Sequence, residues 1–533
     1  MSTDNNSLNP PRITNYESRS LIDTHCHLDM KEFDEDRDEV IRRAKDSGIE
    51  ALITVSSDPE SISKCIELSE KYDLIYASVG VHPHDAKDFN EKIYEQLRSL
   101  TSPSPSSPPV KGGERSEPSP LAVEPACPVG RGGGEGDIYM NSSHLTPHSS
   151  PPLHPPLSKG GTRGGKVVAI GETGLDYHYD HSPRKIQQEV FIRHLHLAKE
   201  SGLPAIVHSR EAEADTLRIL RESGINNGVM HCFSGNLSLA EELMSMGLYI
   251  SVAGPVTFKK SSKLKEVAAS IPDDYLLIET DAPYLSPEPY RGKRNEPSFI
   301  QSTAKHIAEL RGVSFEDIAR ITTLNAKRLF GIGVIPEKAE IAYKIRDSLY
   351  LNITNRCTNR CSFCVKFNSD YVKGHRLKLV NEPSEDEIKK EIGDPTSYKE
   401  IVFCGYGEPL QRLDTVKIIS GWIKERGGRV RINTNGHANL IHKRNVLPEL
   451  KGLVDSISIS LDAHDEETYN KLCRPIFKDA FNEVTRFIKQ AKEVIPDVQV
   501  TIVELEGVDT AKCRELAASL GVKIRVRRFN AVG

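Results

Sequence analysis

Short apolar runs rich in β-branched residues alternate with amphipathic stretches over residues 21–333. Buried parallel strands read as near-continuous apolar runs, and strands that alternate with helices form a parallel sheet. Eight such units predict an α/β fold with a closed (β/α)8 barrel of the TIM type. The eight candidate strands lie at 21–27, 51–56, 75–83, 166–176, 204–210, 228–235, 248–255 and 276–285.

The alternation starts again at residue 348, after a stretch at 334–347 that we interpret as a linker. This shorter series predicts a (β/α)6 partial barrel over residues 348–533. A chain of 533 residues is too long for one core, so two barrels account for its length. The six further candidate strands are LYLNIT, EIVFCG, RVRINTN, DSISISLD, VQVTIVEL and VKIRVRR.

A segment of different composition interrupts the first series. Pro, Ser and Gly dominate residues 101–165, as in TSPSPSSPPVKGGERSEPSP. Such a composition cannot bury enough apolar surface to offset its ordering entropy, so we predict a disordered insertion in a surface connection. Docking onto a partner is the alternative, and Cys127 is a bystander in either case. Residues 1–20 predict a polar tail.

Composition excludes several classes of protein. The formal charge of −5 provides no global basic field for nucleic acid, although local patches are not excluded. Ten cysteines are too few and too irregularly spaced for a secreted disulfide scaffold, and the first residues lack the apolar core of a signal peptide. No apolar run approaches the ~18 residues of a membrane helix. We therefore expect a soluble, cytoplasmic protein with reduced thiols and no membrane partner.

Residues of the kinds that bind metals occur where several of the first eight strands end. In a barrel of this type the active site gathers at the carboxyl ends of the strands. A single histidine there is more often a hydrogen-bonded core residue, but six ligand-type residues in register argue against coincidence. Four imidazoles and two carboxylates suit two divalent ions bridged by one carboxylate, which can activate water against a phosphate or acyl group. The six are His25, His27, Glu172, His208, His231 and Asp281.

The motifs around these residues resemble those of the TatD family of metal-dependent hydrolases, a branch of the amidohydrolase-like barrels. In chain order they are IDTHCHLD, GVHPHD, AIGETGLDY, VHSR, MHCFSG, IETDAPYL, RGKRNEP and NAKRLFGI. The resemblance implies two divalent ions (Mg²⁺, Mn²⁺ or Zn²⁺), with Asp281 also accepting a proton from the attacking water. The implied ligands are His25, His27, Glu172 and Asp281 for one ion, and Glu172, His208 and His231 for the other.

The same resemblance implies a deoxyribonuclease that acts from 3′ ends, while some relatives instead remove mischarged D-amino acids from tRNA. His82, in GVHPHD, is a candidate for substrate binding or a simple cap on its strand. Arg291, Lys293 and Arg294 form a basic loop that suits a phosphate backbone as well as an ordinary solvated cluster. The sequence shows no aromatic and basic platform for stacking single strands.

Three cysteines lie within eight positions of NRCTNRCSFCVK: Cys357, Cys361 and Cys364. Three thiolates predict either a zinc site with a distant fourth ligand or a four-iron, four-sulfur (4Fe-4S) cluster with one iron open. The spacing Cys-x3-Cys-x2-Cys resembles the radical S-adenosylmethionine (radical SAM) superfamily, and Phe363 fills the aromatic position of that motif. In that family S-adenosylmethionine binds the open iron. We interpret the remaining cysteines of this half as small buried residues: Cys404, Cys473 and Cys513.

Further motifs extend this second resemblance. CGYGEPL resembles the Gly-Gly-Glu-Pro stretch of the superfamily, with Tyr406 in place of the first glycine. NTNG and SISLDA end the next two strands. Ordinary strand-end caps are the alternative for these residues. The resemblance implies as cofactor-binding candidates Gly407, Glu408, Thr434, Asn435 and Ser460, with Asp462 as a further candidate.

We therefore expect a bifunctional enzyme in which a TatD-type hydrolase of DNA or another phosphodiester is fused to a radical SAM enzyme of unknown substrate. The order and brevity of the second domain resemble the radical SAM proteins linked to TatD-type hydrolases. That domain requires an electron donor for its cluster. Two alternatives stay open. In the first alternative, the first barrel hydrolyses an acyl-tRNA ester or a small amide. In the second, one domain is a silent scaffold, and the complete ligand sets in both domains argue against this second alternative.

Deleting residues 102–164 should leave the melting temperature and the hydrolytic rate nearly unchanged, because a disordered surface segment contributes no core. Thermal unfolding and a hydrolysis assay on the shortened chain measure both quantities. A fall in melting temperature of many degrees would show that the segment packs against the barrel.

Overall fold

The computed structural model describes residues 20–102, 166–367 and 369–528. Residues 1–19 of the predicted tail and 103–165 of the predicted insertion, with Cys127, lie outside these ranges. No helix within the described ranges combines the length and the apolar character that a membrane crossing requires.

Eight parallel strands form the first sheet in chain order. The sheet closes between its first and last strands, because Cys26 pairs with Ala282 and the N–H of Asp281 donates to the carbonyl oxygen of His25 at 2.9 Å. The predicted (β/α)8 barrel is confirmed. Its strands are β1 (Leu21–Cys26), β2 (Ile49–Val55), β3 (Ile75–Val79), β4 (Val167–Asp176), β5 (Ala205–Arg210), β6 (Gly228–Met230), β7 (Leu248–Val252) and β8 (Leu276–Ile278).

Amphipathic helices cover this barrel, and their ends carry the expected caps. Asp58 accepts from the backbone N–H groups of Glu60 and Ser61 at the start of α2, and Gly202 and Gly312 adopt the left-handed conformation after α4 and α8. The helices are α1 (Arg37–Asp46), α2 (Pro59–Lys71), α3 (Glu91–Thr101), α4 (Arg184–Ser201), α5 (Glu213–Ser223), α6 (Leu237–Ser245), α7 (Ser262–Ser270), α8 (Ile300–Arg311) and α9 (Phe315–Phe330).

The end of the barrel at which the strands begin is closed by α9. Thr323 donates to the carbonyl oxygen of Ser20, just before β1, and Asn325 donates to that of Leu276, where β8 begins. Leu329 and Phe330 pack against the residues that fill the barrel interior. That interior is apolar and buried: Ile22, Ile53, Val168, Ile206, Val229, Tyr249 and Leu277. An open site therefore has room only at the opposite, carboxyl ends of the strands.

The second half contains a seven-stranded mixed sheet in the order β17-β16-β15-β14-β13-β10-β9. The six predicted strands are present and parallel. The strand that was not predicted, β9, lies in the stretch interpreted as a linker and pairs antiparallel with β10. The strands are β9 (Ala342–Ile345), β10 (Ser348–Leu351), β13 (Glu400–Phe403), β14 (Val430–Thr434), β15 (Ser456–Ser460), β16 (Asp497–Glu504) and β17 (Lys523–Arg528).

Helices of this half pack on one face of the sheet, where they share a core with its apolar residues. The helices are α10 (Glu385–Ile392), α11 (Leu413–Glu425), α12 (Ala438–His442), α13 (Glu466–Cys473), α14 (Ala480–Val494) and α15 (Thr510–Leu520). A small hairpin, β11 (Tyr371–Val372) and β12 (His375–Arg376), follows the three-cysteine motif.

That hairpin joins the two halves through α9. The guanidinium of Arg328 lies 4.2 Å from the centre of the Tyr371 ring, and Arg320 Nε donates to the carbonyl oxygen of Lys373 at 2.7 Å. The second domain is therefore attached to the helix that closes the base of the first barrel, away from the carboxyl ends of its strands.

Candidate functional site

The six predicted metal-ligand residues lie together at the carboxyl ends of the barrel strands. Local backbone requirements place the central one, Glu172. The preceding residue, Gly171, has φ of 138°, and a Cβ there would lie 2.5 Å from the carbonyl oxygen of Ile206. Only glycine allows β4 to pass this close to β5 at the residue before Glu172.

Glu172 contacts two separate groups of imidazoles. Its Oε1 lies 2.7 Å from His231 Nε2 and 2.9 Å from His208 Nδ1. Its Oε2 lies 3.3 Å from His25 Nε2 and 3.7 Å from His27 Nε2. Each carboxylate oxygen therefore faces one group, which is the arrangement that a ligand bridging two divalent ions requires.

Asp281 completes the side of the site that faces β1. Its Oδ1 lies 3.6 Å from His27 Nε2 and 3.8 Å from His25 Nε2. The residue has φ of 57°, a left-handed conformation that is uncommon outside glycine and is held here by its N–H bond to the carbonyl oxygen of His25. Such backbone conformations concentrate at functional sites because the surrounding structure must enforce them.

His82 caps a short helix and contacts the site, while its binding of substrate stays a prediction. Its Nδ1 accepts from the backbone N–H of His84 at 3.2 Å, which caps the short 3-10 helix Pro83–Asp88. Its Nε2 lies 3.4 Å from Glu172 Oε1. The side chain is thus a cap that also reaches the site.

The donor set fits divalent cations. His25 Nε2 lies 3.2 Å from His27 Nε2, and His208 Nδ1 lies 3.1 Å from His231 Nε2. Two facing ring nitrogens can share only one proton, whereas a cation between them accepts both lone pairs. Three overlapping triplets have ligand atoms within 4.8 Å of one another: His25, Glu172 and His231; His25, His27 and Asp281; His82, Glu172 and His208.

Both carboxylates of the site are ionised at neutral pH. Burial opposes ionisation of Glu172, but the imidazoles of His231, His82 and His25 outweigh it and hold its pKa well below the ordinary range. Burial also opposes ionisation of Asp281, whose pKa is nevertheless lowered by its hydrogen bond with His27 and by the neighbouring imidazoles.

Two more carboxylates, which the motifs did not single out, contact the histidines from behind. Asp176 Oδ2 lies 3.2 Å from His208 Nε2 and 3.0 Å from His84 Nε2. Glu279 Oε1 lies 3.5 Å from His231 Nδ1. Carboxylates in this position fix the ring orientation and tautomer of a ligating histidine. In the sequence, these two carboxylates are indicated by their positions where strands end: Asp176 ends GETGLD and Glu279 ends LLIE.

The basic loop after β8 is partly used by the fold. Arg294 forms two hydrogen bonds with the Asp36 carboxylate, at 2.7 and 2.8 Å. Arg291 is exposed and lies 4.2 Å above the Phe258 ring. Phosphate binding by this loop stays a prediction, and Arg291 is the member whose guanidinium has no such ion pair among the described residues.

An exposed aromatic and basic cluster borders the site. The Tyr179 side chain is 50% exposed, and its ring stacks on that of His181 with centroids 5.6 Å apart. The guanidinium of Arg210, at the end of β5, lies 4.7 Å from the centre of the Tyr179 ring. The His84 ring is edge-on to the same ring, with centroids 5.4 Å apart. The sequence does not reveal this cluster because its members come from three different strand ends.

The three cysteines Cys357, Cys361 and Cys364 lie in the loop after β10, and all nine cysteines in the described ranges are free. Cys357 Sγ accepts from the backbone N–H of Asn359 at 3.4 Å and from Asn435 Nδ2 at 3.7 Å. Burial raises the pKa of Cys357 to about 12. Three free thiols on one loop, of which that of Cys357 already accepts two N–H groups, fit the ligands of an iron–sulfur cluster.

The end of α13 holds the cysteine loop in place. The backbone N–H groups of Arg360 and Ser362 donate to the carbonyl oxygens of Cys473 and Leu472, at 3.0 and 2.8 Å. Cys473 is buried, as predicted, and the neighbouring thiol of Cys361, together with burial, raises its pKa. The sequence offered no signal for that contact.

Glu408 connects the cysteine loop with β14. Its Oε1 accepts from Thr434 Oγ1 at 2.8 Å, and its Oε2 accepts from the backbone N–H of Asn435 at 2.7 Å. Burial raises the pKa of Glu408 to about 7, although these hydrogen bonds oppose the shift. A Cβ at Gly407 would lie 2.5 Å from the carbonyl oxygen of Arg356, so no other residue fits against the cysteine loop. Ser460 is the last residue of β15, which pairs with β14 on the side opposite β13.

Comparisons with known proteins agree with this architecture. Residues 22–109 and 156–331 match the family described as TatD related DNase, and residues 351–520 match the radical SAM superfamily. The chain belongs to the TatD family of metal-dependent hydrolases and carries a radical SAM domain after its hydrolase barrel.

Three relatives illustrate the match. The uncharacterized metal-dependent hydrolase YabD of Bacillus subtilis (strain 168) is 42% identical over 315 residues, which are 59% of this chain and 100% of YabD. YcfH, an uncharacterized metal-dependent hydrolase of Escherichia coli (strain K12), is 34% identical over 58% of this chain and 96% of its own length. The putative deoxyribonuclease TATDN3 of Mus musculus is 30% identical over 58% of this chain and 88% of its own length.

Replacing Asp176 by Asn should weaken divalent metal binding by about 10- to 100-fold, because the amide orients the rings of His208 and His84 less strongly than a carboxylate. Titration calorimetry of the chelator-treated protein with Mn²⁺ measures the affinity. The matched control is Asp180→Asn, which removes an exposed carboxylate paired with Arg184 at 2.8 Å. Equal affinities for the two variants would contradict a role for Asp176 behind the metal ligands.

Proposed function

We propose that the first barrel is a two-metal phosphodiesterase that removes nucleotides from 3′ ends of DNA. The observation that carries this proposal is the contact of Glu172 with two groups of imidazoles through its two oxygens. When bound, two divalent ions supply an activated water and charge stabilisation for the reacting phosphate. Their ligands are His25, His27, Glu172, His208, His231 and Asp281.

The side chains of the site have distinct tasks. Asp281, ionised and within reach of His27, accepts the proton of the attacking water. Asp176 and Glu279 hold the rings of His208 and His231 from behind. The many imidazole donors favour Mn²⁺ or Zn²⁺ over Mg²⁺, which prefers oxygen ligands.

The exposed rim favours a nucleic acid over a small amide. Stacking on aromatic side chains beside basic groups is how proteins bind single strands without sequence preference. Tyr179, with His181 and Arg210 against its ring, offers such a surface, and Arg291 and His82 are further candidates for contacts with the substrate. An acyl-tRNA ester carries the same nucleotide chemistry, so it is the alternative that experiment must separate.

Replacing Asp281 by Asn should lower hydrolysis by about 100-fold or more, because the amide cannot accept the proton. The assay follows release of nucleotides from 3′-labelled single-stranded DNA with added Mn²⁺, and Asp46→Asn, an exposed change on α1, is the matched control. Parallel assays use circular single-stranded DNA, a D-aminoacyl-tRNA and a model amide. Wild-type activity confined to the aminoacyl ester would replace the DNA proposal, and a fully active Asp281→Asn variant would remove the assigned proton acceptor.

The second domain is proposed to hold a 4Fe-4S cluster on Cys357, Cys361 and Cys364 and to bind S-adenosylmethionine beside it. When bound, the cluster supplies the electron that cleaves S-adenosylmethionine, and a separate one-electron donor must replenish it. The free thiols of the described chain suit a reducing compartment such as the cytoplasm. The cofactor-binding side is formed by Gly407, Glu408, Thr434, Asn435 and Ser460.

Replacing Cys357, Cys361 or Cys364 by Ala should abolish both cluster assembly and cleavage of S-adenosylmethionine to 5′-deoxyadenosine, since each thiolate holds its own iron. Anaerobic reconstitution, followed by iron and sulfide analysis and by chromatography of the nucleoside, measures both. Cys513→Ala, a change in the buried face of α15, is the control that should keep about four irons per chain. A wild-type protein that takes up zinc and shows no iron–sulfur absorbance would refute the proposal for this domain.

A further inference from the structure

The face of the second sheet that points away from its helices is polar. Along β15, β16 and β17 every second residue is apolar and packs into the helix-side core, as Ile457, Val500 and Ile524 do. The residues between them lie on the opposite, inner face. On these three strands that face carries Ser456, Ser458, Ser460, Asp497, Gln499, Thr501, Val503, Lys523, Arg525 and Arg527.

This inner face contrasts with that of the first barrel, where apolar side chains fill the interior. Ile53, Ile206 and Leu277 are fully buried there and leave no internal binding space. Hydroxyl, amide and guanidinium groups cannot form such an apolar core without losing their hydration. The inner face of the second sheet is therefore suited to contact a polar ligand.

Positive charge on this face exceeds the local negative charge. Arg431, on the neighbouring strand β14, is neutralised by Glu400, whose Oε1 lies 3.0 Å from its guanidinium. Lys523 pairs with Asp497 at 3.0 Å. Arg525 and Arg527 form neither an ion pair nor a side-chain hydrogen bond with any residue in the described ranges.

Arg527 lies at the cofactor end of this face. It pairs in register with Val503, next to the carboxyl end of β15. Burial raises the pKa of Asp462 to about 6, and the charge of Arg527 opposes that shift. Burial also raises the pKa of Cys404. The charge of Arg527 opposes this shift, and the Glu408 carboxylate adds to it. Arg527 thus stands close enough to influence groups that adjoin the proposed S-adenosylmethionine site.

We propose that Arg525 and Arg527 bind an anionic group, a carboxylate or a phosphate, of the molecule on which the radical SAM domain acts. The inference rests on the proposed function of that domain and names the chemical class of its substrate. Guanidinium groups form forked, charge-assisted hydrogen bonds with both anions. Two arginines two residues apart on one strand lie on the same face and present two such forks.

S-adenosylmethionine itself carries a carboxylate, so the test must separate it from a second anion. Charged residues on an edge strand also prevent sheets from pairing, which needs no ligand at all. The holoprotein, reconstituted anaerobically, is labelled with the arginine reagent phenylglyoxal in the presence of inorganic phosphate, of succinate or of a neutral sugar. Mass spectrometry then gives the labelling rate of each arginine, so that phosphate bound at the hydrolase metals does not interfere.

Phosphate or succinate should slow labelling of Arg525 and Arg527 by about tenfold, and the stronger of the two identifies the class of anion. Arg514, exposed on α15, is the internal control and should be labelled at an unchanged rate. Equal protection of all three arginines, or protection of none, would overturn the proposal.

Binding of S-adenosylmethionine provides the second readout. The variant Arg527→Gln should bind it with an unchanged dissociation constant, as should Arg514→Gln, whereas a tenfold loss confined to Arg527→Gln would assign the arginine to the cofactor carboxylate and overturn the proposal. Anion protection in a protein that assembles no cluster would refute the proposed function while leaving the anion site in place. A cluster that assembles and cleaves S-adenosylmethionine, in a protein whose arginines no anion protects, would refute the anion site and leave the proposed function in place.

Discussion

The buried carboxylate of Glu172 sets the requirements that the first barrel must meet. A charge removed from water costs several kcal/mol unless it is paired, and Glu172 is paired by imidazoles that come from four different strand ends. Each of those rings needs its own support, which Asp176 and Glu279 provide from behind for two of them. The metal chemistry of the site therefore depends on the whole barrel holding its strands in register.

The helix α9 separates the two candidate sites. It closes the base of the first barrel with Leu329 and Phe330, and its exposed side receives the hairpin that follows the cysteine loop. The hydrolase site opens at the other end of the same barrel. The candidate hydrolase site and the cysteine loop therefore lie on different sides of α9.

The two domains share the same strand–helix alternation, but the inner faces of their sheets differ in polarity. Apolar residues such as Ile53 and Leu277 fill the first barrel, so its chemistry is confined to the rim. Serine, threonine and arginine residues occupy the inner face of the second sheet, which is therefore polar. This difference is present in the strand sequences: LITV contrasts with SISIS and KIRVRR.

Strand periodicity and ligand-type residues at strand ends were sufficient to predict both folds and to select His25, Glu172 and Asp281, because short-range pattern and barrel topology are linked. They did not predict β9, since a short edge strand has little periodicity of its own. Contacts between distant strand ends, such as Arg210 over Tyr179 and Cys473 against Cys361, were decided only by the tertiary structure. The sequence pattern indicates which face of a strand a residue occupies, whereas the closing of the sheet determines which residues it contacts there.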